Sequence, residues 1–544
     1  MNLDLTPTRI AYDGTSTPLK TTLFVVVCLT WLLPGLVGHD PWKVDEAVVF
    51  GAVTEMLRSG DWLVFRIAGE PYLEKAPLFF WVSASFANLF GALLPLHDAA
   101  RLAAGFFMAA TMALLGLACL ELMGERAVRL GVLLFIGSLG LLIRAHEMTP
   151  DLAGLTGVAL ALYGLALAMR RTVAGGAVLG MGLGVAFLGD GLQPLGMVLL
   201  LVALLPLAGR TWRSRDYGIT VAVAIACAAP LVASWPLMLW IWAPPGLPIW
   251  LDNALAWRWN PSGLLYFLKA LPWYAWPAWP LAAWTIWRSR RALRERHQVQ
   301  LPIAAFVAFF IAVSLFGESR EVNAMPLLLP LALLGVAELD SLPRGAASAL
   351  DWFGMTTFFL LATLIWIAWA GAMTGQPQFA AAWLQKEIPG YAYRFSFVAF
   401  ALASLLTLIW LVVVARSLRS TRRAIVNWAA GITMVWMLMM TLGVPLVDQA
   451  RSYRGVAASL MAAMPADKKC VARRNVGDAQ RALLDYFVGL RTIREEVPLA
   501  ARCNVLLVQA TPDRMPLPQP AWAEVWRGSR PGDRHELFIL YHRR

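Results

Sequence analysis

The sequence predicts an α-helical polytopic membrane protein of about thirteen spans with a small C-terminal α/β domain, on three observations. The 544 residues are 59% hydrophobic and only 15% charged, against about 25% charged residues in a soluble domain, and their mean hydropathy is +0.61. Apolar runs of roughly 18 to 25 residues, each long enough to cross a bilayer as one helix, recur from residue 21 to residue 446. At about Asp448 the composition turns charged and stays so.

In order, spans are predicted near 21–38, 101–121, 128–145, 153–169, 173–189, 192–208, 218–243, 264–287, 300–316, 325–340, 352–374, 396–415 and 424–446. The first 20 residues are polar and the first span lacks a small-residue cleavage site, so that span is expected to remain as an anchor. Residues 77–96 are also apolar. Counting them as a span would put Arg126 and Arg129 opposite the other basic loops, at Arg170-Arg171, Arg210 to Arg215, 288–297 and 416–423. Basic loops belong in the cytoplasm, so 77–96 is read as a helix at the outer interface, with the N-terminus inside and the C-terminus outside. The domains are then 1–448, with a first outer loop over 39–100, and 449–544. In the second, 483–489 reads as helix and 469–474, 504–510, 523–528 and 535–541 as strands.

Net charge is +12. Positive-inside loops and attraction to anionic membrane lipids account for it, and basic residues spread over many short loops exclude nucleic-acid binding. The 25 Trp suit interfacial belts. Cys28, Cys119 and Cys227 fall in spans, while Cys470 and Cys503 sit at strand edges of the outer domain, where a disulfide would be stable. There is no phosphate-binding loop, dinucleotide fingerprint or zinc spacing, which argues against ATP-driven transport.

Charge gathers in the outer loops. The first holds Asp40, Asp45, Glu46, Glu55, Asp61, Glu70 and Glu74 beside Lys43, Arg58, Arg66 and Lys75. Later ones carry Arg144, His146, Glu147 and Asp151; Asp190; Asp252, Arg258 and Asn260; and Glu318, Arg320 and Glu321. Ionisable groups beside a bilayer are costly to desolvate and mark a site for a charged substrate.

An Asp-Glu pair after the first span, SGDW at 59–62, YLEKAP at 72–77 and a short acidic second loop together resemble the GT-C membrane glycosyltransferases, in the aminoarabinose-transferase-like (lipid A arabinosyltransferase) branch of the protein-mannosyltransferase clan. The likeness is strongest over about 40–170. The chain departs from that pattern at Val48, where the family has Arg, at Asp190-Gly191, where it has Lys-Gly, and at 317–326, which lacks the family's Tyr.

The resemblance implies a sugar moved from a polyprenyl (undecaprenyl) phosphate donor to lipid A or a related periplasmic glycan, with 4-amino-4-deoxy-L-arabinose as the family's sugar. It places the protein in a bacterial inner membrane, as a monomer, with the active site and C-terminus periplasmic. Asp45 then stands at the family's base, with Asp151 completing the catalytic pair. Lys75 stabilises the leaving phosphate, with Arg258 and Arg320 as bidentate helpers and Glu46 and Glu74 as further substrate contacts. No cofactor is required; a divalent metal at Asp45, Glu74 and Asp151 suits carboxylate chemistry without being demanded.

Plainer readings stand beside these. Asp45 caps the helix that follows, Lys75 snorkels, Arg258 anchors a headgroup between Trp257 and Trp259, Asp190 ends its span, His146 and Glu147 are solvated helix ends, and Glu318 to Glu321 is a solvated turn. The rival function is a lipid-linked sugar or lipid phosphate transporter or flippase. That class would place charges in mid-span, where this sequence has almost none.

Overall fold

A computed structural model describes residues 18–42, 44–256, 260–293, 295–390, 393–416, 421–511 and 521–544. Eight of its helices are long and apolar enough to cross a membrane: Leu96–Met123, Asp151–Ala168, Thr172–Asp190, Arg215–Trp242, His297–Leu315, Arg344–Thr374, Phe397–Arg416 and Arg423–Ala462. The chain is a multi-pass membrane protein. Shorter apolar helices occupy most of the other predicted spans. Residues 77–96 yield the helix Leu78–Phe90. Its 13 residues reach about 20 Å, short of the roughly 30 Å of a hydrocarbon core.

Asp151–Ala168, Thr172–Asp190 and Arg215–Trp242 pack side by side because small residues let their backbones close. A Cβ on Gly157 would stand 2.2 Å from the Ala186 nitrogen, and one on Gly182 2.5 Å from that of Ala161. Nothing larger than glycine fits there.

Two predicted spans are broken. Over 128–145 the helix Glu125–Ile136 stops and a single turn follows at Leu141–Arg144. Over 264–287 the chain forms Gly263–Tyr274 and Ala278–Ser289, with Pro272 and Pro277 at the interruption, where proline removes a helical donor. The breaks satisfy each other. The Leu139 and Gly140 amides donate to the carbonyls of Trp276 (3.1 Å) and Tyr274 (2.8 Å), as irregular backbone at membrane depth requires.

The helix Arg423–Leu438 continues through a π-helical turn, Met439–Gly443, into Val444–Arg451. It therefore runs through Asp448, where the composition shifts. The chain then enters a five-stranded sheet. A hairpin in the first loop supplies β1 (Arg66–Ile67) and β2 (Glu70–Pro71). The sheet supplies β3 (Val471–Arg474), β4 (Ile493–Arg494), β5 (Val505–Ala510), β6 (Trp522–Gly528) and β7 (Leu537–Arg543). Its order is β4-β3-β5-β7-β6. The pairs β3–β4 and β3–β5 are parallel and the rest antiparallel. Cys470 and Cys503 form a disulfide beside β3 and β5. Sequence periodicity overlooks the two-residue β4 of this sheet and the β1–β2 hairpin of the first loop.

The helix Asp478–Val488 lies between the sheet and the first loop. A Cβ on Gly51 would meet the Ala482 Cβ at 2.4 Å, so the helix Asp45–Ser59 packs tightly on it. The C-terminal sheet thus buttresses the loop that carries the candidate site.

Candidate functional site

Asp45 and Glu46 open the helix Asp45–Ser59, where carboxylates favour the positive end of the helix dipole. Adjacent helical residues point about 100° apart, and the two separate accordingly. The helix-capping reading of Asp45 does not hold, since its N-terminus has no side-chain cap; the Asp45 carboxylate pairs with the Arg320 guanidinium. Glu46 is 3% exposed. It accepts from Arg101 Nε at 2.6 Å and from the Trp42 amide at 2.9 Å. Arg101, fully buried, also donates to Asp98 at 2.7 Å and to the His39 carbonyl at 3.1 Å. Burial raises the Glu46 carboxyl, but Arg101 outweighs it and holds the group below its ordinary value. The substrate-contact expectation for Glu46 is therefore corrected: it ties the loop to the bundle and is closed to ligand.

The β1–β2 turn uses Ala68 and Gly69 at positive φ (47° and 86°) and sends residues 72–77 back across the helix ends. Lys75 Nζ donates to Asp190 Oδ1 at 2.5 Å. Asp190 closes Thr172–Asp190 and Asp151 opens Asp151–Ala168. Glycine brings these ends together: a Cβ on Gly189 would lie 2.5 Å from the Gly154 nitrogen, and one on Gly154 2.9 Å from the Asp190 Cβ. The Thr149 hydroxyl donates to Asp151, which is also within electrostatic reach of Lys75 and Arg320. Burial opposes the charge on Lys75, but Asp151 and Asp190 overcome it and hold the ammonium above its usual range.

Glu74 is exposed. Partial burial, then Asp478 from the C-terminal sheet region, pushes its carboxyl up. Arg144 pairs with Glu147 at 2.8 Å. His146 is no solvated helix end: it is buried, bonded to the carbonyls of Leu142 (2.7 Å) and Trp31 (2.9 Å), and burial pushes it down to about 4. Arg258, with Trp257 and Trp259, lies outside the described residues. Its neighbour Asn260 donates to the Gly317 carbonyl (3.1 Å) and to Ser319 (2.9 Å), tying that loop to the one bearing Arg320.

Asp45, Glu74 and Asp151 do not assemble into a ligand set; among the described residues no group of three His, Cys, Asp or Glu is placed to hold a metal. Asp45 engages Arg320, and Asp151 faces Lys75 and Arg320. Sequence reasoning left Asp190 out of the site, although a carboxylate at the end of an apolar run was the available signal.

The arrangement is a mixed-charge cluster at one end of an apolar bundle, with the Lys75 ammonium and the Arg320 guanidinium among several carboxylates. It can bind a phosphate and position an attacking group. No protein-family model matches the chain. It is 26% identical over 485 residues to the undecaprenyl phosphate-alpha-4-amino-4-deoxy-L-arabinose arabinosyl transferase of Edwardsiella ictaluri, covering 82% of this chain and 79% of that protein. It is 26% identical over 342 residues to the protein of the same name from Serratia proteamaculans, covering 58% of each. A similar transferase of Sodalis glossinidius is 29% identical over 337 residues, covering 57% of each. The chain thus spans less than two thirds of the length of the last two. Among solved structures, ArnT from Cupriavidus metallidurans bound to undecaprenyl phosphate superposes with a TM-score of 0.68 at 18% identity, covering 96% of this chain and 98% of that one. The chain therefore has the GT-C fold of the ArnT structures, and the resemblance to the aminoarabinose transferases read from its sequence holds.

Proposed function

We propose that the chain is an integral membrane glycosyltransferase of a bacterial inner membrane. It takes a sugar, 4-amino-4-deoxy-L-arabinose in the first instance, from undecaprenyl phosphate and gives it to lipid A or a related acceptor on the periplasmic side. The observation that carries this reading is the meeting of the Asp45–Arg320 pair, the Lys75–Asp190 contact and Asp151 at one end of an apolar bundle. The names of the similar proteins supply the donor and the sugar.

In this reading the donor phosphate is presented to Lys75 and Arg320. Charge grows on it as the glycosidic bond breaks, and fixed cations in a partly dry site stabilise that charge. Arg258 is assigned as a further phosphate contact. Asp45 takes the proton of an acceptor hydroxyl; an acceptor that is itself a phosphate needs no base, and Asp45 then orients it. Asp151 is the second catalytic carboxylate and adds its charge to the field on Lys75. The residues from 449 onward form a separate outer domain that supports the first loop.

The test uses the purified full chain in lipid nanodiscs with undecaprenyl phosphate-linked aminoarabinose and lipid A. Mass spectrometry should show lipid A heavier by one sugar and free undecaprenyl phosphate in equal amount. Unmodified lipid A, with the donor moved across a bilayer in vesicles, would replace the transferase with the transporter.

A further inference from the structure

A cavity of about 710 Å³ opens between the last membrane helices and the C-terminal sheet, apart from the cluster around Lys75. Its floor is apolar, with Ile365, Trp369, Leu384, Leu442 and Leu446. Its rim is charged: Arg451, Arg530 and Arg534 stand against Glu387 and Asp533. Arg530 is engaged by Asp533 and, at 3.5 Å, by Glu536. Arg451 and Arg534 are exposed and have no carboxylate partner among the described residues.

Three further features mark the cavity as built. The π-helical turn Met439–Gly443 forms part of its wall, and such turns cost helical regularity and recur at functional sites. The 530–535 loop is seated on the helix Gln378–Glu387 so closely that a Cβ on Gly532 would lie 2.0 Å from the Glu387 carbonyl oxygen. Finally, Arg451 stacks over the Trp42 ring at 5.3 Å, and the Trp42 amide is held by Glu46, next in sequence to Asp45. The cationic rim is therefore joined through Trp42 to the segment that presents Asp45.

We propose that this cavity is the acceptor site and takes a phosphate-headed acyl lipid. Acyl chains lie on the apolar floor, one phosphate of the lipid is gripped by Arg451 and Arg534, and the group that receives the sugar extends past Trp42 toward Asp45. Guanidinium groups suit phosphate by bidentate hydrogen bonding, and a floor made mostly by helices long enough to cross a bilayer suits a ligand arriving from the membrane. The assignment rests on the glycosyltransferase reading.

Two measurements on the full chain test it. In nanodisc assays the double variant Arg451→Gln/Arg534→Gln should raise the apparent KM for lipid A by about tenfold or more, the scale of losing charge-assisted contacts, with the KM for the donor unchanged. Arg534→Lys should recover part of the loss, and Leu446→Trp, which fills the floor, should mimic it. Independently, native mass spectrometry from vesicles containing bisphosphorylated lipid A should show the lipid retained by wild type and lost from the double variant. Lipid A stripped of its phosphates should be retained poorly by both. Unchanged acceptor KM and equal retention in a folded double variant overturn the proposal. Retention that is lost in the variant, in a protein that transfers no sugar, overturns the glycosyltransferase reading while leaving a phospholipid site in place.

Discussion

Lys75 holds one ammonium against two carboxylates, Asp190 in contact at 2.5 Å and Asp151 within electrostatic reach, so under the proposed function the donor phosphate competes with them for it. Lys75→Ala should weaken binding of undecaprenyl phosphate and slow transfer by about tenfold or more. Lys75→Arg should rescue only in part, because a planar fork presents its donors differently from a point charge. Asp190→Asn should do the reverse for binding: with the competing carboxylate gone, undecaprenyl phosphate should bind about tenfold tighter and leave more slowly, which titration calorimetry in detergent would read. Weaker binding in that variant would make Asp190 a positioning group for Lys75. Asp45→Asn should abolish transfer while leaving the thermal transition in place, and near-normal turnover would remove Asp45 from the chemistry. Asp45, Lys75, Asp151 and Arg320 were legible because the family resemblance singles them out among the charges of the outer loops, and the structure brings them to one place. Asp190 carries a signal, a carboxylate at the end of an apolar run, but at that place it reads equally as a helix terminator. Glu46 misled because neighbouring carboxylates are equivalent in sequence and diverge only once wound into a helix.

At the level of elements, the first loop depends on the C-terminal sheet. Glu70 of β2 accepts from Arg473 and Arg494, both at 3.0 Å, and lies 3.3 Å from Arg481. Burial raises its carboxyl, but Arg473, with Arg481 and Arg494, outweighs burial and holds it below the ordinary value. A depressed carboxyl contributes stability that is present above the unfolded value of about 4.3 and is lost as pH falls through the lower folded value. Acidification below about pH 4 should therefore loosen the contact between hairpin and sheet. Glu70→Gln should loosen it at neutral pH by about 2 kcal/mol, the scale of charge-assisted hydrogen bonds. Hydrogen exchange over 66–71 and 471–494 would report both, and unchanged protection would show that the helix–helix contact at Gly51 and Ala482 suffices. The disulfide closes a loop with a sequence separation of 33, so Cys470→Ala with Cys503→Ala should cost the sheet about 3 kcal/mol, read as a lower urea midpoint for the outer part alone. The main strands and the helix Asp478–Val488 were legible from alternation and amphipathic spacing. Their docking on the first loop was not, because it rests on close packing such as Gly51 on Ala482 and Phe50 on Tyr486 and on arginines that sequence places on no particular partner.

Across the whole molecule the helices sort the loops into two ends. Asp151–Ala168 runs away from the cluster to Arg170, and Thr172–Asp190 returns to it. Leu192–Ala208 leads to Arg210, His297–Leu315 leads back toward Arg320, and Met325–Ala337 departs to Glu338. The far end is where basic loops meet: Arg170 reaches Glu121 at 3.5 Å, Arg296 reaches Glu338 at 2.5 Å, and Arg422 reaches Asp340 at 2.5 Å. Apolar runs made this bundle legible because a bilayer demands them. The breaks at 137–140 and 274–278 stayed hidden, because hydropathy does not register a backbone satisfied by a distant partner. If positive charge fixes orientation as usual, the Arg-rich end faces the cytoplasm and the cluster with the C-terminal sheet faces the periplasm. The test replaces Cys28, Cys119 and Cys227, the free thiols, and introduces Arg290→Cys or Ser529→Cys, both exposed positions at the two ends. A membrane-impermeant maleimide added to intact spheroplasts should label position 529 at once and position 290 only after the membrane is opened. Immediate labelling at 290 would invert the molecule, place the Asp45–Arg320 and Lys75–Asp190 pairs on the cytoplasmic side, and remove a periplasmic acceptor from the reaction.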